Sequence, residues 1–251
     1  MEIIKSFNSP ELTALVNKYS PFFKEVRKRI FFTLSIFVVA TVTGFAFYDE
    51  IIKSLINALS LKGINIVFTS PFQFINLSIS CGLITGVVVV IPLLIGQIMV
   101  FLKPALKRNE FKTVTMFLPF SIILFLIGFI LGALIMKWQI EIFLTRSESF
   151  GIGNMLDISR LLTTVLLTST LMGAGFQFPF ILLLMMRLGI INRQQVSKKR
   201  PWVYLGSFIF TLFLPPDSIL ADIFLSLPLI VLFEFTLLSK RLLERKNGPP
   251  R

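Results

Sequence analysis

Charged side chains are missing from long stretches of this chain. The uncharged runs fall at Ile30–Tyr48, Gly63–Leu102, Thr113–Met136, Leu161–Met186, Pro201–Pro216 and Ile223–Phe233, the last continuing past Glu234 to Ser239. A helix needs about 20 apolar residues to cross a hydrocarbon core of about 30 Å. The pattern therefore predicts an all-α polytopic membrane protein, one integral membrane domain over residues 1–251, with six transmembrane helices near 30–49, 71–102, 111–137, 160–186, 201–215 and 219–239. The second run is long enough for two spans but has no turn signal in its middle. Residues 63–70 read as a loop, and Pro71 as a first-turn residue of the span. Pro92, Pro119 and Pro179 lie inside spans two, three and four, where each removes a backbone hydrogen bond and predicts a kink. The fifth run covers 16 residues, only about 24 Å of helix, and Glu234 shortens the sixth, so both read as short spans that need a thinned bilayer or shielding neighbours.

Composition agrees with lipid as the solvent. Of 251 residues, 55% are hydrophobic and 15% charged, against about 25% charged in an ordinary soluble domain. The net charge of +12 could suggest nucleic acid, but the basic residues sit in short clusters between apolar runs. Twenty Lys and Arg fall in segments 1–29, 103–112, 187–200 and 240–251, against five (Lys53, Lys62, Lys137, Arg146, Arg160) in the alternate segments. By the positive-inside rule this places both termini in the cytoplasm and assigns the basic excess to membrane lipid, with no nucleic acid. The single Cys81 forms no intramolecular disulfide, and with no histidine in the chain neither a metal site nor a cofactor is expected. The polar residues 1–29 and the long first apolar run do not read as a cleavable signal peptide.

The informative residues are those that composition does not explain. Ser20-Pro21 reads as a helix start, with Ser20 as N-cap, and Glu25 can then form an ordinary surface pair with Arg29 four residues on. Glu110 stands among basic residues at the entry to the third span, where it can complement a helix N-terminus capped by Asn109. Gln177 lies within the fourth span. Its amide must bond either another helix or the carbonyl freed by Pro179. In Pro215-Pro216-Asp217-Ser218, Asp217 or Ser218 can cap the sixth helix. Glu234 is an ionisable residue within a span, a functional candidate by default, yet close enough to Ser239 to reach the surface. Nothing supports catalysis: there is no histidine, no Gly-x-Ser-x-Gly and no phosphate-binding loop.

Taken in order, several segments resemble TatC, the multispanning receptor family of the twin-arginine protein translocase. They are Glu25-Val26-Arg27-x-Arg29-Ile30, Phe101-x-x-Pro104-Ala105-Leu106-x-x-x-Glu110, Phe176-Gln177-x-Pro179, Lys199-Arg200-Pro201-Trp202, Pro215-Pro216-Asp217, and Pro228 with Leu232-Phe233-Glu234. The resemblance implies that Glu25 and Glu110 receive the paired arginines of a signal peptide, with Arg27 and Phe101 in or beside the same surface. It also implies that Gln177 contacts a partner's helix, and that Pro104, Pro179, Asp217 and Glu234 are family-matched positions. Guanidinium and carboxylate pair in a charge-assisted, bidentate way that lysine does not reproduce. The chain departs from the family pattern at Phe22, where histidine is common, at Gln177, where glutamate is common, and at Leu214, where threonine is usual. Since an amide cannot ionise, Gln177 offers a hydrogen bond but no charge.

The function so implied is signal-peptide receptor and core scaffold of a translocase that exports folded proteins with the proton-motive force, and not an enzyme. Its implied partners are TatA and TatB type single-span proteins, precursors with twin-arginine signals and other copies of itself, in the bacterial cytoplasmic (inner) membrane or, as an alternative, an organellar one. The rival reading is a small-solute secondary transporter. That class shows internal repeats and midplane ionisable residues, and neither is evident in the sequence.

Overall fold

The computed structural model describes residues 10–59, 65–67, 70–102, 108–150, 155–187, 189–215 and 218–247. Among them the elements are α1 (Pro10–Ala46), α2 (Tyr48–Ala58), β1 (Asn65–Val67), α3 (Phe72–Leu102), α4 (Arg108–Ser149), β2 (Met155–Asp157), α5 (Ile158–Arg187), α6 (Arg193–Lys198), α7 (Arg200–Leu212) and α8 (Ile219–Asn247). Five stretches are long and apolar enough to cross a membrane: Lys24–Ala46, Phe72–Ile98, Pro119–Ser149, Ile158–Arg187 and Ile219–Leu242. They correspond to predicted spans one to four and six. The predicted fifth span is α7, whose 13 residues extend about 20 Å, short of a hydrocarbon core.

Lipid tails are as apolar as leucine, so helices in a membrane associate through close packing and polar bonds more than through the hydrophobic effect. In this chain α5 is the helix that others surround: 56% of its apolar window is buried, against 11% for that of α1. One cluster joins Met172, Phe176, Phe180 and Leu184 of α5 to Ile95 of α3, Leu124 of α4, and Leu225 and Leu229 of α8. A second, at the end carrying the strands, packs Leu162 and Val165 of α5 with Leu77 and Cys81 of α3 and Met136 of α4. A third, at the opposite end, joins Met186, Val196, Phe233 and Leu237. Glycine lets α4 and α5 approach closely. A Cβ at Gly132 would lie 2.8 Å from the Ser169 Cα, and one at Gly173 would lie 2.8 Å from Cε2 of Phe125.

Helix starts and ends differ from the sequence reading in instructive ways. Ser20 is not an N-cap: α1 begins at Pro10 and continues through Ser20 and Pro21. Pro10 supplies the first-turn proline that Pro21 was expected to be, because the polar segment between them contains no breaker strong enough to end a helix. Asn109 likewise lies inside the first turn of α4, which starts at Arg108. The third predicted span ends at 137, yet α4 runs on to Ser149. No glycine or proline intervenes there, and Ile140 packs on the second cluster. The loop expected at 63–70 contains β1, which pairs in parallel with β2 in the register Asn65↔Met155, Ile66↔Leu156, Val67↔Asp157. Strands of three residues are too short to show a period. Pro92, Pro119 and Pro179 do lie inside helices, as does Pro228 in α8, and each helix continues past its proline.

Replacing Gly132 with alanine forces its Cβ against backbone, which cannot rotate away. Thermal unfolding of the purified chain in detergent should show Gly132→Ala destabilised by about 1–3 kcal/mol; an unaltered transition would mean that α4 and α5 have room to spare.

Candidate functional site

At the end of α1 that carries Lys24 to Arg29, helix spacing brings Glu25, Arg29 and Thr33 onto one face toward α3. The Arg29 guanidinium pairs with the Glu25 carboxylate through Nη2, and its Nη1 donates to the Gln97 carbonyl of α3 at 2.6 Å. The Thr33 hydroxyl lies 2.9 Å from both the Arg29 carbonyl and Oε1 of Gln97. The expected surface pair therefore exists, but it is also the bolt between α1 and α3. Side-chain exposure is 51% for Glu25 and 20% for Arg29, so the carboxylate stays reachable while the guanidinium is tucked in. Arg27 points elsewhere, its guanidinium 5.8 Å from the ring centre of Phe31, a cation–π distance.

Beside this cluster a groove of about 430 Å³ opens between α1 and α3, walled by Val26, Ile30, Leu34 and Phe37 on one side and Val90 and Leu94 on the other. Arg29, Thr33 and Gln97 supply its polar residues. Phe101 lies one turn beyond Gln97 on α3, and Glu110 is the third residue of α4; their side chains fall outside the described residues. Pro104 and Asp217 fall outside them altogether. The structure thus places Glu25 and Arg27 within one turn of each other.

Gln177 resolves the choice left open by the sequence. It bonds another helix: the Ser121 hydroxyl of α4 donates to Gln177 Oε1 at 2.6 Å, and Gln177 Nε2 donates to the Ser121 carbonyl at 3.1 Å. Both residues are buried, and both ends of the amide are engaged within the chain. Glu234 does not simply reach for the surface. It accepts a hydrogen bond from the Tyr204 hydroxyl and lies 3.2 Å from Nη2 of Arg200, joining α8 to α7.

The sequence reading passed over three features. Gln97, an amide in an apolar run, carried the same signal as Gln177. Asp222, in the first turn of α8, is only 4% exposed, and it escaped notice because it borders its apolar run instead of interrupting it. Asp157, just before the uncharged run of α5, accepts from Gln73 Nε2 at 2.6 Å and from the Arg160 backbone N–H at 3.1 Å. No group of three or more histidine, cysteine or carboxylate residues fit to hold a metal occurs among the described residues.

The sequence model of the family described as "Sec-independent protein translocase protein (TatC)" matches residues 21–228. The chain belongs to the TatC family. The TatCd protein of Bacillus subtilis (strain 168) is 27% identical over 224 residues, covering 89% of this chain and 91% of that one. The TatC protein of Escherichia coli (strain K12) is 25% identical over 221 residues, 86% and 85% of the two chains. In fold, the chain is similar to a crystal structure of the twin arginine translocase receptor TatC in DDM, with a TM-score of 0.75 and 21% identity over 86% of this chain and 98% of that one. TatC membership makes it a multi-pass membrane protein of a translocase family, and the small-solute transporter finds no support.

The Gln177–Ser121 pair is a test of how polar bonds hold TatC helices together. Ser121→Ala removes the donor to Gln177 Oε1 and should lower stability by about 1 kcal/mol in unfolding measurements; no loss would show that the amide finds a replacement partner.

Proposed function

We propose that this chain is the signal-peptide receptor and core scaffold of a twin-arginine translocase, and that Glu25 with the α1/α3 groove forms its recognition surface. The observation that carries this reading is the half-exposed Glu25 carboxylate beside an apolar groove, in a chain of the TatC family. Glu25 already accepts a guanidinium, that of Arg29. An arginine of the signal exchanges for it, while Glu110 takes the second arginine, and Arg27 and Phe101 border the same surface.

Magnitudes assign the groove its part. Two charge-assisted bonds contribute about 1.5–3 kcal/mol each, below the roughly 8 kcal/mol of micromolar affinity. Laying about 100 Å² of the signal's apolar segment into the groove adds about 2.5 kcal/mol, which brings the upper end of the range to micromolar binding. The arginines then supply selectivity and the apolar segment supplies residence.

The chain acts with TatA and TatB type single-span partners, with precursors bearing twin-arginine signals and with further copies of itself, in the bacterial cytoplasmic membrane. A polar residue of a partner's span reaches Gln177 by exchanging for Ser121. Pro104, Pro179, Asp217 and Glu234 act as framework positions, Glu234 by tying α7 to α8. Six crossings with both termini in the cytoplasm follow if α7 crosses a locally thinned bilayer, as the basic asymmetry of 20 to five requires.

Photocrosslinkers at positions 25 and 110 should capture a twin-arginine signal and not a twin-lysine one, and Glu25→Ala or Glu110→Ala should reduce capture about tenfold or more, the worth of one charge-assisted bond. Undiminished capture with blocked transport would remove the recognition role. Topology is open to cysteine labelling, because the native Cys81 is 1% exposed. An impermeant maleimide added to right-side-out vesicles should label Phe213→Cys and not Gln194→Cys; labelling of both from one side would end the six-span reading.

A further inference from the structure

At the end of the bundle that carries β1 and β2, two open cavities of about 410 and 420 Å³ flank the first turns of α5 and share Asp157, Arg160 and Thr164. One extends onto α3 along Gln73 and Ser80, and the other extends onto α4 along Gln139 and Phe143. The groups within them are unevenly satisfied. Both oxygens of Asp157 already accept hydrogen bonds, from Gln73 and from the α5 backbone. The exposed Arg160 guanidinium makes no hydrogen bond or ion pair among the described residues. Oε1 of Gln139 is closed off from water and has no donor among the described residues. Among the described residues, an exposed cation without a partner and a buried acceptor without a donor therefore belong to one cavity wall.

The cavity rim has the profile of a membrane surface. The uncharged run of α5 begins directly after Arg160, and Trp138, an amphipathic ring of the kind enriched at lipid headgroups, stands one residue from Gln139 with its ring centre 4.5 Å from that of Phe224. Arg160, Thr164 and Leu167 follow one another on a single face of α5. Charge thus gives way to hydroxyl and then to exposed apolar surface within two turns.

The geometry points to a seat for one phospholipid headgroup at this rim, of the zwitterionic class that carries a primary ammonium. The phosphodiester lies on Arg160, with the Thr163 and Thr164 hydroxyls as further donors. The ammonium donates to Gln139, whose terminal amide turns toward the cavity, and the acyl chain continues over Leu167. Charge balance selects this class. Among the described residues lining it the cleft carries one guanidinium and one carboxylate and so no net charge, and an anionic headgroup would bring an excess negative charge against Asp157 and leave the acceptor unserved. A choline headgroup has the right charges but no N–H to give.

Native mass spectrometry of the full purified chain, with phosphatidylethanolamine, phosphatidylcholine and phosphatidylglycerol of identical acyl chains, tests the assignment. Phosphatidylethanolamine should be retained roughly tenfold more tightly than phosphatidylcholine, the worth of one hydrogen bond to a charged group. Gln139→Leu should bring it down to the phosphatidylcholine level, and Arg160→Gln should weaken all three. Equal retention of the ethanolamine and choline lipids would overturn the proposal, as would a preference for phosphatidylglycerol or an ethanolamine preference that survives Gln139→Leu. Should Arg160→Gln fail to fold, the Gln139→Leu comparison decides alone.

Discussion

The fold depends on how closely α4 and α5 can approach. With lipid outside, burying leucine against leucine gains little over leaving it among acyl chains, and helices hold together where backbones meet and polar groups bond. Gly132 and Gly173 bring the two helices together until a methyl group would not fit, and the Gln177–Ser121 bonds fasten them at the same seam. With α5 fixed, α3 and α8 pack on its remaining faces, while α1 stays peripheral and packs along α3, where a Cβ at Gly82 would lie 2.9 Å from the Thr41 carbonyl oxygen and where Arg29 bonds Gln97 at one end.

Many polar groups within the apolar helices are satisfied in one of two ways. Thr33, Ser78, Thr85, Ser169, Thr170 and Thr236 each donate back to the carbonyl four residues earlier, which satisfies them locally and leaves them free to sit anywhere on a helix face. Longer side chains reach other elements instead: Gln177 to Ser121 and Glu234 to Tyr204 and Arg200 between helices, and Gln73 of α3 to Asp157 of β2. These bonds act as struts. What stays exposed and charged lies at the two ends of the bundle, Glu25 at one and Arg160 at the other, where water and lipid headgroups supply partners.

Family membership and local geometry support each other differently at the two ends. At the Glu25 end, the motif Glu25-Val26-Arg27-x-Arg29 is what connects the chain to TatC, and the structure adds that Arg29 occupies Glu25 and ties α1 to α3. Glu25 alone would read as one more surface pair of little energetic weight. At the Arg160 end, no motif drew attention, and only the shared cavities bring Arg160, Asp157 and Gln139 into one setting.

The apolar runs by themselves determined that this is a helical membrane protein and where its long helices lie, because run length and charge position are properties of sequence alone, while the resemblance to a family came from motifs such as Glu25-Val26-Arg27-x-Arg29. Helix ends were legible only where a breaker stood in the chain, so Pro201 marked the start of α7 while Ser20 misled and α4 outran its expected end. The partners of Gln177, Glu234 and Asp157 lie 56, 30 and 84 residues away, and no local pattern encodes such distances. Packing alone decided that Gln177 faces Ser121 and not the carbonyl left free by Pro179, because the choice turned on which neighbour the close α4–α5 contact brought within hydrogen-bond reach.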